Sequence, residues 1–201
     1  MKSRTVLVLI YCTILSFNTG AQNQKNFVGK DTLRNEIFAG FGALTSLDMA
    51  LSLEYLIMLP IAWGADVYQP HYTGAFFCGY QNRVSERVKL SATFAYEKIR
   101  LIGINTPDTK SGNCYSVLGG IKFKYNRFND NVDLYGRLDL GIMTIATHQE
   151  GVSQTNQEIR PSTFACQFSP ICVRYGKRVG GFFEFGFGNL GTFNFGMDYR
   201  F

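Results

Sequence analysis

The sequence predicts an all-β fold, an eight-stranded antiparallel up-and-down transmembrane β-barrel, and three observations carry that expectation. First, Val179–Phe201 reads VGGFFEFGFG, NLG, TFNFGMDYRF, two alternating segments around a very short turn. Period-two alternation means strands with two unlike faces, and the turn makes them a hairpin. Second, aromatics reach 15% and glycines number 21, while charged residues are only 17%, few for a soluble surface. Third, no run of about 18 apolar residues offers a transmembrane helix, and hydropathy is blind to transmembrane strands because every second residue dilutes them.

The elements follow in order. Met1–Ala21 has the pattern of a secretory signal: Lys2 and Arg4, an apolar core over 6–17, then Thr19-Gly20-Ala21. Its removal takes the formal charge from +5 to +3, and no basic cluster suggests nucleic acid. Residues 22–34 form a polar, flexible lead-in, and 35–201 the barrel. Asn35–Ala43 is the first strand; Ile37, Ala39 and Phe41 can share a face, but its glycines blur the phase. Thr45–Tyr72 is long and apolar. Leu47, Ala50, Leu51 and Glu54 have helical spacing, so it reads as a loop with a short amphipathic helix, with Trp63 and Tyr68 near the interface. A strand there would make the count odd, and single-chain bacterial barrels are even.

Tyr72–Gln81, Val88–Ile99, Tyr115–Tyr125, Val132–Ile145 and Thr163–Tyr175 read as the next five strands, and the closing hairpin completes eight. Polar turns at 82–87, 126–131 and 176–178 mark one end. Loops at 45–72, 104–113 and 147–162, with the short 189–191, mark the other. Tight turns at one end and longer loops opposite is the arrangement of transmembrane barrels.

The two faces differ in chemistry. Lys89, Glu97, Lys122, Lys124, Asp133, Arg137, Asp139, Glu184, Asp198 and Arg200 all fall on the non-aromatic face. Toward lipid, each mid-depth Lys or Arg would cost about 2–4 kcal/mol. Inside, they divide evenly by sign and can pair, which suggests a plugged lumen rather than a charge-selective pore. The competing soluble arrangement is a lipocalin-like barrel with the aromatics inside and one small ligand.

NEIFAGFG, GYQNRVSERVKLSATFAYEKI, IRPSTFACQFSPICVRYG and the terminal GMDYRF together resemble the small eight-stranded outer-membrane β-barrel family of Gram-negative bacteria, OmpA/OmpX-like. The resemblance spans the mature chain. It implies residence in outer-membrane lipid and recognition of the terminal strand by the barrel assembly machinery, with Met197, Tyr199 and Phe201 as the matching residues. Some members of that family carry a trailing peptidoglycan-binding domain; with the sequence ending at Phe201, none is expected here.

The chemical motifs are thin. Gly186-Phe-Gly188-Asn-Leu-Gly191 matches GxGxxG, but that fingerprint must open a helix, and here a strand follows, so no cofactor is expected. Cys78, Cys114, Cys166 and Cys172 lie on non-adjacent strands or about 20 Å apart on one strand. A disulfide needs Cα atoms within about 7 Å, so free thiols are expected. Pro170 removes a ladder donor and suggests a bulge that flips the phase beyond it, leaving Cys172 and Arg174 unassigned. His71 and His148 fall near the loop end. Neither stands in the His-x-Ser pattern of barrel lipid deacylases, and no metal or catalytic site is expected. The expected function is a structural or surface-interaction barrel with a charge-plugged lumen, touching an extracellular ligand through 45–72 or 147–162. A small porin or transporter and an outer-leaflet lipid-modifying enzyme are the alternatives.

Overall fold

A computed structural model describes residues 34–58, 68–103, 109–129, 131–150, 157–159 and 162–201. The expectations for the signal segment, for most of the lead-in and for Trp63 lie outside the described residues. Among them, eight long strands close an antiparallel up-and-down barrel: β1 (Asn35–Ala43), β2 (Tyr68–Arg83), β3 (Val88–Gly103), β4 (Thr109–Asn129), β5 (Val132–Glu150), β7 (Thr163–Gly176), β8 (Val179–Gly188) and β9 (Phe193–Arg200). Each pairs with its neighbour in sequence, and β1 pairs with β9 from Glu36↔Arg200 to Ala43↔Phe193. A three-residue strand, β6 (Gln157–Ile159), lies outside the closed cycle and pairs with Ala146–His148 of β5. Helix α1 (Ser46–Met58) follows β1 directly.

Three expected loops are shorter than the sequence suggests. β2 starts at Tyr68 and not Tyr72, so the end of 45–72 is strand. β3 runs to Gly103 and β4 starts at Thr109, pairing through Arg100↔Ser111, so half of 104–113 is strand. β5 continues to Glu150, and β6 folds back on it, so 147–162 is also partly strand. The β4 and β5 extensions are largely polar, and that of β3 sets Leu101 and Ile102 side by side, so none shows apolar alternation and their turn residues dominate the reading. The outcome is an uneven barrel. β2–β5 extend past the loop end, whereas β1 stops pairing at Gly42↔Ala75 and β8 and β9 meet at the tight turn 189–192. That turn needs its glycines, because Gly188 and Gly191 have φ of +140° and +121°, which a Cβ disfavours. The GxGxxG match is therefore hairpin chemistry.

The bulge expected at Pro170 is present. Pairing shifts register between Phe168 and Ile171 against β8, and between Tyr135 and Arg137 against β7. Inward positions change from Gln167 and Ser169 to Cys172 and Arg174 across it, which assigns the two residues that periodicity alone leaves open. The four cysteines among the described residues are free thiols, Cys78 and Cys166 on the outer face and Cys114 and Cys172 inside.

Candidate functional site: the barrel interior and its apolar wall

The outer wall is apolar throughout the alternating segments. Phe94, Val117, Ile121, Leu138, Leu140, Ile142, Phe164, Phe183 and Phe195 are among the exposed side chains. Tyr115 and Tyr125 bound this belt on β4. They lie ten residues apart, about 33 Å along the strand at about 3.3 Å per residue, or about 25 Å along the axis at a tilt of about 40°. Tyr80, Tyr175 and Tyr199 ring the turn end with Tyr125, and Tyr96 lies against Tyr115 near the loop end, ring centroids 5.4 Å apart and planes tilted by 43°. The lipocalin-like arrangement needs these aromatics inside, and the structure places them outside.

Each charged residue expected on the inner face is found there. At the turn end Lys89 Nζ lies 2.5 Å from Glu36 Oε2, and Arg200 donates to Glu36 through Nε and to Asp133 through Nη2, both at 3.0 Å. Lys124 Nζ sits 2.5 Å from the other Asp133 oxygen. Lys122 bridges deeper, 3.9 Å from both Glu36 and Glu184, with its ammonium 4.0 Å from the Tyr135 ring centroid. At mid-barrel Arg137 reaches Asp139 at 2.5 Å, Glu184 at 3.2 Å and the Thr93 hydroxyl at 2.8 Å. The Ser91 hydroxyl donates to Asp139, and the Tyr135 hydroxyl to Glu184. Arg174 forks onto both oxygens of Asp198 and donates to the carbonyls of Gly176 and Lys177 at the turn.

Two members are additions to the sequence-based set. Glu36 is the hub of the turn-end cluster. Its position on the face opposite Ile37 is the signal that could have found it, obscured by the glycines of β1. Arg174 pairs with Asp198, and the Pro170 bulge had hidden its phase. One expected member behaves differently. Glu97 is buried inside, but its partner is the Thr45 hydroxyl at the start of α1, and among the described residues no cation bonds it. It belongs to the cap of the helix rather than to the ion network.

Above the charged layer the interior turns apolar. Phe38, Phe77 and Phe182 meet at centroid separations of 6.2–6.4 Å, with Ala95, Cys114, Leu118, Met143, Ala165 and Leu190 around them. Glycines on neighbouring strands make room: a Cβ at Gly79 would lie 2.4 Å from the Phe38 ring and one at Gly196 2.5 Å from Phe182. Small-against-large filling is how a narrow barrel closes its interior. The Arg137 guanidinium lies 5.2 Å from the Phe38 ring and joins the two layers.

The remaining expected residues fall as follows. Met197, Tyr199 and Phe201 all face outward; Tyr199 stacks on Phe201, and Phe201 exchanges two backbone hydrogen bonds with Asn35 to close the barrel seam. His71 is exposed on β2 beyond the last β1 pair. His148 lies on β5, its side chain outside the described residues. Among the described residues no cluster of three metal-binding side chains occurs.

No family model and no curated protein sequence matches this chain. Among solved structures it is similar to the crystal structure of Ail, the attachment invasion locus protein of Yersinia pestis, in complex with the heparin analogue sucrose octasulfate. The identity is 15%, over 84% of this chain and 97% of that one, with a TM-score of 0.44. It is also similar to the backbone structure of the Yersinia pestis outer membrane protein Ail in a phospholipid bilayer nanodisc, at 17% identity over 84% and 99% of the two chains, with a TM-score of 0.39.

Proposed function

We propose that this chain is an integral outer-membrane β-barrel whose lumen is plugged by charge pairs and aromatic side chains. Its role is structural or surface-interacting, exercised through the loop end. One observation carries the reading: the wall between the tyrosines is uniformly apolar over about the height of a membrane barrel's lipid band, about 25 Å, while the charged side chains of the same strands pair inside. A soluble barrel would gain nothing from that inversion. In a bilayer it removes the cost of charge in hydrocarbon.

The packing supports the plug. A charged layer spans the turn-end half, and an apolar layer with buried Glu97, Gln167 and Asn194 at its margin fills the other, so a solute would have to displace both. Residence in the outer membrane requires export through the signal at 1–21 and assembly by the barrel machinery, with Met197, Tyr199 and Phe201 presented on the closing strand. Extracellular contacts are assigned to 45–72 and 147–162, since loops on a rigid scaffold carry recognition.

The test is gel mobility of boiled and unboiled protein from a purified outer-membrane fraction, combined with conductance in planar bilayers. A mobility shift without conductance above background supports the reading. A protein in the soluble periplasmic fraction with no shift refutes the membrane barrel, and steady single-channel conductance refutes the plug.

A further inference from the structure

Helix α1 (SLDMALSLEYLIM) is the segment that the interior does not explain. At about 100° per residue, Leu47, Asp48, Leu51 and Tyr55 share one side, and Met49, Leu53, Leu56 and Ile57 the opposite one. The first side faces the barrel: Leu47 packs on the apolar interior, and Asp48 is buried. The second is bare, with Leu53 59% and Leu56 68% exposed. It holds no charged residue and no aromatic, and the last turn holds no basic residue. A helix this apolar on its free side requires an apolar neighbour.

The roll of the helix is fixed. The Thr45 hydroxyl accepts the Asp48 N–H at 3.1 Å, the Asp48 carboxylate accepts the Thr45 N–H at 3.0 Å, and the same hydroxyl donates to Glu97 at 3.1 Å. This reciprocal cap at the helix start is itself anchored in the barrel wall. Further along, Ser52 and Tyr72 join hydroxyls at 3.0 Å, so α1 packs on the stretch of β2 that β1 no longer covers.

Its height is fixed too. Leu44, with a left-handed φ of 57°, turns the chain from β1 into the helix. The Leu44 carbonyl accepts both the N–H and the hydroxyl of Thr192 at 3.0 Å. Thr192 precedes Phe193, an exposed residue of the belt that pairs with Ala43. Just below, Phe41 contacts Phe76 and Phe195 at ring centroids 5.0 and 5.6 Å apart. Apolar surface therefore runs without a break from the belt, over exposed Leu44, onto the free face of α1.

We propose that α1 is an interfacial membrane helix, its Met49, Leu53, Leu56 and Ile57 face seated among the acyl chains of the outer leaflet beside the short wall of the barrel. The continuity with the belt and the exposed Met49, Leu53, Leu56 and Ile57, with Ser46 the one polar residue among them and no Trp, Tyr or Arg, favour lipid. Protein-binding patches concentrate Trp, Tyr and Arg, and an interfacial helix buries an apolar face in the headgroup–acyl boundary. The inference rests on the membrane reading above. It removes 46–58 from the ligand-binding loops and leaves 147–162 as the principal candidate.

The experiment replaces the single tryptophan by Trp63→Phe and adds either Leu56→Trp or, as a belt control, Phe183→Trp. Each protein is refolded in phosphatidylcholine vesicles with brominated acyl chains. The expected result is quenching of Leu56→Trp to at least half the extent seen for Phe183→Trp. Quenched Phe183→Trp with Leu56→Trp sensitive only to aqueous iodide overturns the inference and leaves the membrane reading standing. Leu56→Trp shielded from both quenchers, in a protein that sediments as a dimer, overturns it in favour of a second copy. If Phe183→Trp itself escapes bromine, the membrane reading fails and the inference fails with it.

Discussion

Arg137→Met puts the interior network under its most demanding test. Arg137 is 2% exposed and holds Asp139 at 2.5 Å, Glu184 at 3.2 Å and Thr93 at 2.8 Å. Methionine fills much of the aliphatic volume but removes the cation. Asp139 then keeps only the Ser91 hydroxyl at 3.0 Å, and Glu184 keeps the Tyr135 hydroxyl at 2.8 Å and Lys122 at 3.9 Å. Two carboxylates are left buried without their nearest cation, and breaking a buried pair from one side costs about 3–5 kcal/mol. Taking away the anions as well should return most of that loss. The triple variant Arg137→Met, Asp139→Asn, Glu184→Gln leaves no orphaned carboxylate at mid-barrel, and Lys122 keeps Glu36 at 3.9 Å; such neutral replacements are often neutral or stabilising by about 1–4 kcal/mol. Equilibrium urea unfolding in lipid vesicles, followed by fluorescence and by gel mobility, reads both numbers. The reasoning is refuted if the single variant loses under about 1 kcal/mol, the worth of an exposed pair, or if the triple variant loses as much as the single.

Three further outcomes follow from the same structure. Leu140→Arg places a cation near the middle of the belt, 50% exposed in the wild type; it should cost about 2–4 kcal/mol in the same urea assay, and a change under about 1 kcal/mol would argue against lipid at that face. Gly42→Ala sets a Cβ 1.6 Å from the Leu190 carbonyl oxygen, where backbone must move; a loss of about 1–3 kcal/mol is expected, with wild-type stability contradicting the close approach of β1 to the closing turn. Deleting Phe201 removes the outward terminal aromatic and its two backbone bonds to Asn35; the amount of protein reaching the outer membrane should fall steeply while vesicle refolding in vitro persists, and unchanged delivery would dismiss it as part of an assembly signal.

The faces of β3, β4, β8 and β9 were legible because each alternates without interruption, so one exposed aromatic sets the phase of its whole strand; on β5 the charges of Asp133, Arg137 and Asp139 set it instead, because its one aromatic, Tyr135, is buried with them. Glu36 and Arg174 were hidden by local breaks in that rule, the glycines of β1 and the bulge at Pro170. The apolar layer of Phe38, Phe77 and Phe182 was not legible at all. Each ring turns inward only because Gly40, Gly79 or Gly196 stands beside it on another strand, and no single-strand pattern carries cross-strand complementarity. The extensions of β3, β4 and β5 were missed for the opposite reason. Largely polar side chains on β4 and β5, and Leu101 and Ile102 side by side on β3, leave no alternation to read. Glu97 shows the limit of sorting by face: periodicity placed it inside, but its partner comes from a helix whose docking only the fold reveals.

The central claim is that the aromatic face meets lipid and the charged face meets itself. Phe182 and Phe183 test it most directly, being adjacent on β8, opposite in direction, and 7% and 46% exposed. In the Trp63→Phe background, Phe182→Trp and Phe183→Trp are compared in vesicles of brominated lipid. The structure predicts strong quenching of Phe183→Trp and weak quenching of Phe182→Trp. Equal quenching of the two, or the reverse order, would contradict it.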